Sequence, residues 1–268
     1  MGACEGKVAI VTGASRGIGA AIAARLASEG ARVAVVARTL HPDPRYPGTL
    51  QETVDAITRD AGEAMAVQAD LSKEADRQRL VAQVQDTLGG IDILVNNAAV
   101  TFLLPTVDFP PKRFDLMVEV QLRAPFQLTQ LVLPGMYERG EGWVLNISSK
   151  AAVHPQGPPY EQIHTLGFSV YGMVKAGLER LTTALAAEGY AKGLRANALA
   201  PTDNVATPGA SNHDLVEGFP IEPSSVMAEA ALALCSGDRD LTGRIAYSQE
   251  LLAELGRSAR DLPAGLAG

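Results

Sequence analysis

Short apolar runs rich in β-branched residues alternate along the chain with longer segments of helical period. The apolar runs are Val8–Val11, Val33–Val36, Ala64–Val67, Ile91–Val95, Val144–Ile147, Ala196–Leu199 and Ile245–Tyr247. Continuous apolar strands alternating with helices are typical of a parallel sheet that is covered by helices on both faces. The pattern therefore predicts an α/β protein: one doubly wound, Rossmann-like domain around a seven-stranded parallel sheet.

The segment after the first run has the spacing of a helix with one apolar face. Ile18, Ile22 and Leu26 follow one another at intervals of four residues, and Gly30 ends the pattern. Such a helix can pack on the sheet with this apolar stripe.

Two segments interrupt the alternation because they are rich in proline, glycine and polar residues: residues 39–48 and 154–167. They are predicted to be surface loops. We expect one domain over residues 1–257, with the substrate bounded by the loops 101–110, 153–168 and 203–223. Residues 258–268 have little apolar content and are predicted to be a flexible tail.

Composition and charge exclude several classes of protein. The 268 residues carry a net charge of −7 without a basic run, so neither nucleic acid nor an anionic membrane surface is an expected partner. The sequence shows no signal peptide and no apolar span of membrane length, and a cytoplasmic location is expected. Cys4 and Cys235 are far apart in sequence and form no C-x-x-C motif, and they are interpreted as reduced thiols. The four histidines have no metal-ligand spacing, so no metal site is predicted.

The turn after the first strand has the composition of a phosphate-binding loop. Thr12 is followed by Gly13, Gly17 and Gly19, and the chain continues directly into the helix. Glycines let backbone amides approach a pyrophosphate, and the helix N-terminus adds a positive field there. A plain strand-to-helix turn is the alternative interpretation, which the strand before and the helix after it make less favourable.

Tyr171 and Lys175 are four residues apart, so on a helix they emerge from one face. A nearby ammonium favours a phenolate, and Lys175 is therefore expected to lower the pKa of Tyr171 for acid/base work. An ordinary helix surface is the alternative. Ser149 ends a predicted strand and could hold a substrate oxygen beside Tyr171. Ser148 is the competing choice, and a capping role is open to both serines.

The end of the second strand bears on the choice of cofactor. An acidic residue there would bind both ribose hydroxyls of NAD and repel a 2′-phosphate, but Val36-Ala37-Arg38-Thr39 contains no acid. Arg38 can form a forked contact with a phosphate, and Arg16 is a second candidate cation. NADP(H) is therefore the expected cofactor, with NAD(H) weaker. Two solvated surface arginines are the alternative interpretation.

Taken together, these motifs resemble those of the short-chain dehydrogenase/reductase family. The resemblance covers roughly residues 6–255 and continues through Asp70-Leu71, Asn96-Asn97-Ala98, Tyr171-x-x-x-Lys175 and Asn197-Ala198. The loop after the second strand and the ending LTGRIAYSQELLAELG are similar to the hydroxysteroid dehydrogenase-like and citronellol dehydrogenase-like branch. The family's alignment favours Ser149, the second serine of its pair, as the catalytic one.

The resemblance implies hydride transfer between nicotinamide and a small-molecule carbonyl or alcohol, with Ser149, Tyr171, Lys175 and Gln121 as the catalytic set. Lys175 would also bond the nicotinamide ribose. The implied cofactor-binding residues are Gly13, Ser15, Arg16, Gly17, Ile18, Gly19, Arg38, Thr39, Asp70, Leu71, Asn97, Ala98, Ala99, Tyr171, Lys175, Pro201 and Val205. Family members also suggest a homotetramer or homodimer formed by the helices at 112–136 and 171–191.

The sequence departs from the family's pattern at three positions. Gln121 stands where the family has an Asn that completes a proton relay, Ala99 replaces a common Gly, and Thr202 follows Pro201 where Gly is common. Gln121 keeps open a second interpretation, a nucleotide-binding sensor or scaffold without turnover. A third, a sugar-nucleotide epimerase or dehydratase, would need a larger C-terminal domain than this chain has room for.

The substrate itself is predicted only as a class. Apolar side chains at Leu103, Leu104, Phe168 and Phe219 favour an apolar guest, and His154, Tyr160 and His164 are candidates for the mouth of the pocket.

Overall fold

The computed structural model describes residues 2–41, 48–161, 166–205, 220–263 and 266. Its strands are β1 (Val8–Thr12), β2 (Arg32–Ala37), β3 (Glu63–Gln68), β4 (Ile93–Asn96), β5 (Gly142–Ile147), β6 (Leu194–Ala200), β7 (Asn204–Val205), β8 (Ile221–Glu222) and β9 (Ile245–Tyr247). Its helices are α1 (Gly17–Ala27), α2 (Leu50–Arg59), α3 (Glu74–Leu88), α4 (Pro111–Val118), α5 (Ala124–Arg139), α6 (Ser169–Gly189), α7 (Ser224–Ser236) and α8 (Ser248–Glu254).

Seven strands form one parallel sheet in the order β3-β2-β1-β4-β5-β6-β9. Every predicted apolar run lies in one of these strands or overlaps it, so the predicted α/β, doubly wound class is confirmed. The strand order reverses between β1 and β4, where Ala9 pairs with Ile93. In such sheets the crevice outside the carboxyl ends of the strands at this point is the usual ligand site.

Side chains of the strands alternate between two apolar layers. On β1, Ala9 and Val11 face the layer that contains α1 and α7, whereas Val8 and Ile10 face the layer that contains α3 and α5. All five β1 residues are buried, as expected for a strand covered on both faces. The glycine turn that follows β1 therefore starts from one of the most enclosed strands of the sheet.

The helix α1 carries the predicted apolar stripe, and it also carries a buried charge. The Arg25 guanidinium lies 2.7 Å from Glu229 on α7, and both side chains are less than 5% exposed. Arg257 lies 2.8 Å from the same carboxylate. Glu229 therefore joins α1, α7 and the segment after α8.

The predicted tail contacts the domain at residues that the structure describes. Leu266 is buried in the α1/α7 apolar layer, Leu262 packs against it, and Arg260 lies 3.3 Å from Glu29. Two leucines are enough for this contact although the segment as a whole is polar.

Candidate active site

The glycine turn folds against the end of β4. A Cβ on Gly13 would lie 2.8 Å from Ala98 Cα, and a Cβ on Gly19 would lie 2.4 Å from Gly13 O. Gly13 also has a φ of +68°, which favours glycine. Since neither position has room for a side chain, the backbone of the turn is left bare at the start of α1, as a pyrophosphate site requires.

Polar contacts hold the predicted cofactor residues Asn97 and Ala98 on this turn. The Thr12 hydroxyl accepts hydrogen bonds from the backbone N–H groups of Asn97 (2.9 Å) and Ala98 (3.1 Å). The Asn97 side-chain amide donates to Thr12 O at 2.8 Å. The carboxyl ends of β1 and β4 are thus joined at the point where the strand order reverses. Ala99 follows as an exposed residue.

The end of β2 lies on the other side of the turn. Arg38 is exposed, and its carbonyl accepts a hydrogen bond from Gln68 at the end of β3. A Cβ on Gly48 would lie 2.6 Å from Ser15 O and 2.9 Å from Arg16 Cβ, so the chain returns to the turn just before α2. Residues 42–47 of the predicted loop lie outside the described residues.

Asp70 and Leu71 follow β3 at the same edge of the sheet. The Asp70 carboxylate accepts hydrogen bonds from Ser72 N at 3.1 Å and Ser72 Oγ at 2.7 Å, while Leu71 is buried against α3. The Asp70 carboxylate therefore organises the turn into α3, and the predicted adenine contact stays a prediction.

Ser149 and Tyr171 come together between the end of β5 and the first turn of α6. Their hydroxyls are hydrogen-bonded, which opposes the effect of burial on the Tyr171 phenol. Ser149 Oγ also accepts a hydrogen bond from Ala151 N at 3.2 Å. Ser148 has a different partner, because its hydroxyl donates to Glu179 Oε1 at 2.6 Å. Of the two candidate serines, only Ser149 has its hydroxyl on Tyr171.

Lys175 lies one turn after Tyr171, as the spacing predicts, and its side chain is 3% exposed. Its ammonium donates to Ile147 O at 2.8 Å and lies 5.7 Å from the centre of the Tyr171 ring. Burial lowers the pKa of Lys175 to about 8. A strand-end carbonyl therefore positions the amine close to the phenol.

The expected direction of the Tyr171 pKa is wrong for this structure. Burial raises the pKa of the Tyr171 phenol, and the hydrogen bond with Ser149 opposes that change only in part. The reason is that burial removes water from around the phenol, which disfavours its charged form. The phenol is therefore protonated at neutral pH.

Gln121 lies in a π-helical turn, Glu119–Arg123, that joins α4 to α5. Such turns frequently mark functional sites, and nothing in the sequence pattern predicts this one. The side chain is 1% exposed, and its Nε2 donates to Val100 O at 2.8 Å. Its Oε1 is buried without a hydrogen-bond partner in the described part of the chain. The amide thus lies beside the loop that follows Ala98 and Ala99.

The residues after β6 are held by a polar network that sequence analysis missed. Ser248 Oγ accepts a hydrogen bond from Thr202 N at 3.0 Å and donates to Glu222 Oε1 at 2.7 Å. Glu222 is 2% exposed and pairs in β8 with Val205 of β7. Thr202, the departure after Pro201, therefore anchors one side of the predicted nicotinamide region. These partners are 46 and 26 residues apart in sequence, so no local motif signals them.

Aromatic and apolar side chains lie next to Tyr171. The rings of Phe168 and Tyr171 are 6.4 Å apart, and Phe102 packs on the same small cluster as Tyr171. Thr106 Oγ1 donates to Ser169 Oγ at 2.9 Å, which ties the predicted loop 101–110 to the start of α6. Phe219 and His164 lie outside the described residues.

The described histidines are surface residues, and the described helices include no candidate membrane span. His41 and His154 are exposed, and His213 is outside the described residues. Within the described ranges, no group of three or more histidine, cysteine and acidic side chains is arranged to hold a metal ion. None of the helices described here is long and apolar enough to cross a membrane.

The family description "short chain dehydrogenase" matches residues 7–214, and the chain belongs to that family. The fold and the strand-end site described above are those of an oxidoreductase of this class.

Individual relatives agree with this assignment. The chain is 31% identical over 259 residues to hydroxysteroid dehydrogenase-like protein 2 of Xenopus tropicalis, covering 95% of this chain but 60% of that protein. The chain thus spans about three fifths of the length of this curated relative. The predicted resemblance to the hydroxysteroid dehydrogenase-like branch is confirmed.

Solved structures add information on cofactors. A metagenomic short-chain oxidoreductase in complex with NADP is 29% identical, with a TM-score of 0.74 over 91% of this chain and 98% of its own. A 7α-hydroxysteroid dehydrogenase in complex with NADH and 7-oxo glycochenodeoxycholic acid is also 29% identical, with a TM-score of 0.78 over 91% of this chain and 93% of its own. Similar proteins thus bind either dinucleotide.

Proposed function

We propose that the chain is an NADPH-dependent reductase, reversible as an alcohol dehydrogenase, that acts on a carbonyl group of an apolar small molecule. The observation that carries the proposal is the contact between the Ser149 and Tyr171 hydroxyls, one helical turn from the buried Lys175. This group lies at the same edge of the sheet as the bare glycine turn. One dinucleotide can therefore place its phosphates at the turn and its nicotinamide beside Tyr171.

The residues present fit a dinucleotide. The backbone between Gly13 and Gly19 is the support for a pyrophosphate, since a Cβ at either glycine would collide with the turn. Arg38 and Arg16 are candidates for a 2′-phosphate, and the end of β2 offers no acid to repel it, so NADP(H) is favoured over NAD(H). Asp70 and Leu71 are assigned to adenine, and Pro201 and Val205 to the nicotinamide. When bound, the nicotinamide supplies or accepts the hydride.

The chain's own groups handle the proton. Ser149 holds the substrate oxygen beside Tyr171, and the Tyr171 hydroxyl donates its proton to that oxygen during reduction. Since burial raises the pKa of Tyr171, the phenol keeps the proton that this step needs at neutral pH. The Lys175 ammonium lies close enough to stabilise the phenolate that is left.

The contacts beside Tyr171 support an apolar substrate. Phe168 lies against the Tyr171 ring, and Phe102 belongs to the adjoining apolar cluster. The test is a panel of aldehydes, ketones and diketones, with the reactions monitored by the absorbance of NADPH or NADH. It measures activity, cofactor preference and substrate class together.

Replacing the general acid is the most direct test of the mechanism. Tyr171→Phe should abolish reduction while NADPH affinity changes little, because the ring still packs but no proton is available. Tyr190→Phe, which alters an exposed tyrosine at the far end of α6, is the matched control. A kcat close to wild type in Tyr171→Phe would refute the assigned role.

A nucleotide-binding sensor or scaffold is the second candidate, and Gln121 favours it. Its Nε2 is engaged by Val100 O rather than by a group of the Ser149–Tyr171 pair. Binding of NADPH without its oxidation by any member of the panel would support this function instead.

We also propose that the chain assembles as a homodimer or homotetramer in the cytoplasm. Exposed apolar side chains on the helices expected at the interface, Phe114, Phe126 and Met173, support self-association. The buried free thiols Cys4 and Cys235 support a reducing compartment. A single monomeric species at micromolar concentration in sedimentation would contradict the assembly.

A further inference from the structure

Glu179 is a carboxylate beside the site that the proposed chemistry leaves unused. It lies on α6 one turn after Lys175, and Ser148 Oγ donates to its Oε1 at 2.6 Å. Lys175 is bound to Ile147, the residue before Ser148, because its ammonium donates a 2.8 Å hydrogen bond to Ile147 O. Two opposite charges on one helix face are therefore fixed to consecutive residues at the end of β5.

We infer that Glu179 is a positioning residue that acts through Lys175, holding the buried amine in its ammonium form at working pH. The inference rests on the proposed function, because the ammonium is the form of Lys175 that would bind the nicotinamide ribose and stabilise the Tyr171 phenolate. Ser148 has a part in it, since its hydroxyl fixes the carboxylate in place.

The electrostatics agree with this geometry. Burial lowers the pKa of Lys175, and the Glu179 charge opposes that change. In return, burial raises the pKa of Glu179, while the Ser148 hydrogen bond and the Lys175 charge lower it. Each charge thus favours the ionised form of the other in a place where water does not.

Among the residues that the structure describes, the other titratable groups near Glu179 do not replace it. Tyr247 of β9 faces Glu179, and burial together with the charges of Glu179 and Glu250 raises the pKa of its phenol. The exposed Lys150 lies 5.9 Å from the Tyr247 ring. Tyr247 is neutral at working pH, so the anion near Lys175 in the described part of the chain is Glu179.

The direct test is the titration of Lys175 in the protein without cofactor, monitored by NMR through the 13Cε resonance of labelled lysine. Loss of the signal in Lys175→Met assigns it. The wild-type amine should titrate near pH 8, and Glu179→Gln should lower that midpoint by about one unit, because an opposing charge is removed without changing shape. Glu179→Asp keeps the charge and should restore most of the midpoint.

A matched control is Glu188→Gln, which removes the same charge from an exposed position on α6 and should leave the Lys175 midpoint unchanged. Ser148→Ala should lower the midpoint in the same direction, by less than Glu179→Gln. With NADPH and a reducible substrate, the alkaline limb of kcat/KM should move to lower pH in Glu179→Gln by the same amount as the midpoint.

Three results would overturn the inference: an unshifted Lys175 midpoint in Glu179→Gln, an equal shift in Glu188→Gln, or a loss of thermal stability without any shift. If Glu179→Gln fails to fold, an unshifted midpoint in Ser148→Ala decides against it. Failure of the proposed function is recognised separately: no carbonyl compound of the panel would then support NADPH oxidation by the wild-type protein. The titration is independent of that result, since it needs neither cofactor nor substrate.

Discussion

Gln121 gives a sharp test because the structure separates its effect on stability from its effect on catalysis. Gln121→Leu keeps the volume of the side chain, removes the 2.8 Å hydrogen bond to Val100 O, and also removes a buried Oε1 that has no described partner. Loss of one hydrogen bond costs about 1 kcal/mol, and removal of an unpaired buried oxygen offsets about as much. The melting temperature should therefore change by roughly 4 °C or less.

The catalytic effect should be much larger than the change in stability. If the amide supports proton supply to Tyr171, Gln121→Leu and Gln121→Ala should lower kcat by roughly 10²-fold, the low end for loss of an acid/base element. Gln121→Asn should change kcat only a few-fold, and NADPH affinity should survive in all three variants.

The assay combines initial rates from NADPH absorbance, NADPH binding from fluorescence and melting from calorimetry. Gln127→Leu is a suitable control, because Gln127 on α5 also has a buried Oε1 with no described partner but lines a groove with Arg77 and Glu119. A normal kcat in Gln121→Leu would show that the relay runs elsewhere. A loss of NADPH affinity would show that Gln121 is structural.

Three further changes test the cofactor site and the buried lysine. Arg38→Asp should weaken NADPH by about tenfold to a hundredfold while NADH changes little, as a charge-assisted contact is replaced by repulsion; equal losses would exclude a phosphate role for Arg38. Gly13→Ala should raise the NADPH dissociation constant at least about tenfold, because its Cβ would lie 2.8 Å from Ala98 Cα. Gly6→Ala is the control, since it has the same cost of about 1 kcal/mol for a positive φ but no atom within 4 Å of its Cβ. Lys175→Met should abolish turnover but raise the free energy of unfolding at pH 7 by about 2 kcal/mol, because about 3 kcal/mol of burial penalty is relieved and about 1 kcal/mol is lost with the hydrogen bond to Ile147 O. The native pKa of about 8 is below the reference value, so wild-type stability rises with pH from about 8 to about 10.5, and the variant should lack that rise. Equal stabilities of wild type and Lys175→Met, measured by urea unfolding at pH 7, would contradict the burial penalty.

The sheet could be predicted from sequence because parallel strands have a simple pattern. A strand such as β1, covered on both faces, must be apolar throughout, and its glycine turn follows at a fixed place. The pairing of Tyr171 with Lys175 was predictable for a similar reason, since an interval of four residues on a helix defines one face. These are local relations, which spacing records.

The environment of each group could not be predicted in the same way. The direction of the Tyr171 pKa depends on how much water surrounds the phenol, and that depends on residues from several elements. The choice of Ser149 over Ser148 depends on Glu179, which is 31 residues beyond Ser148. The π-helical turn at Gln121 and the contacts of Thr202 with Ser248 arise from tertiary packing without a local signature.

The buried charges explain why the site is built on strand ends. Lys175 is held by a carbonyl of β5, and Asn146, one residue before that carbonyl, donates to Thr182 on α6 at 2.8 Å. A hydrogen bond to a strand-end carbonyl orients an amine but does not neutralise it, so the amine keeps most of its burial penalty. A surface lysine would avoid this penalty, yet it would be mobile and screened by water. The cost in stability is therefore the condition for a fixed positive charge beside Tyr171, and variants that relieve it should lose the chemistry as they gain stability.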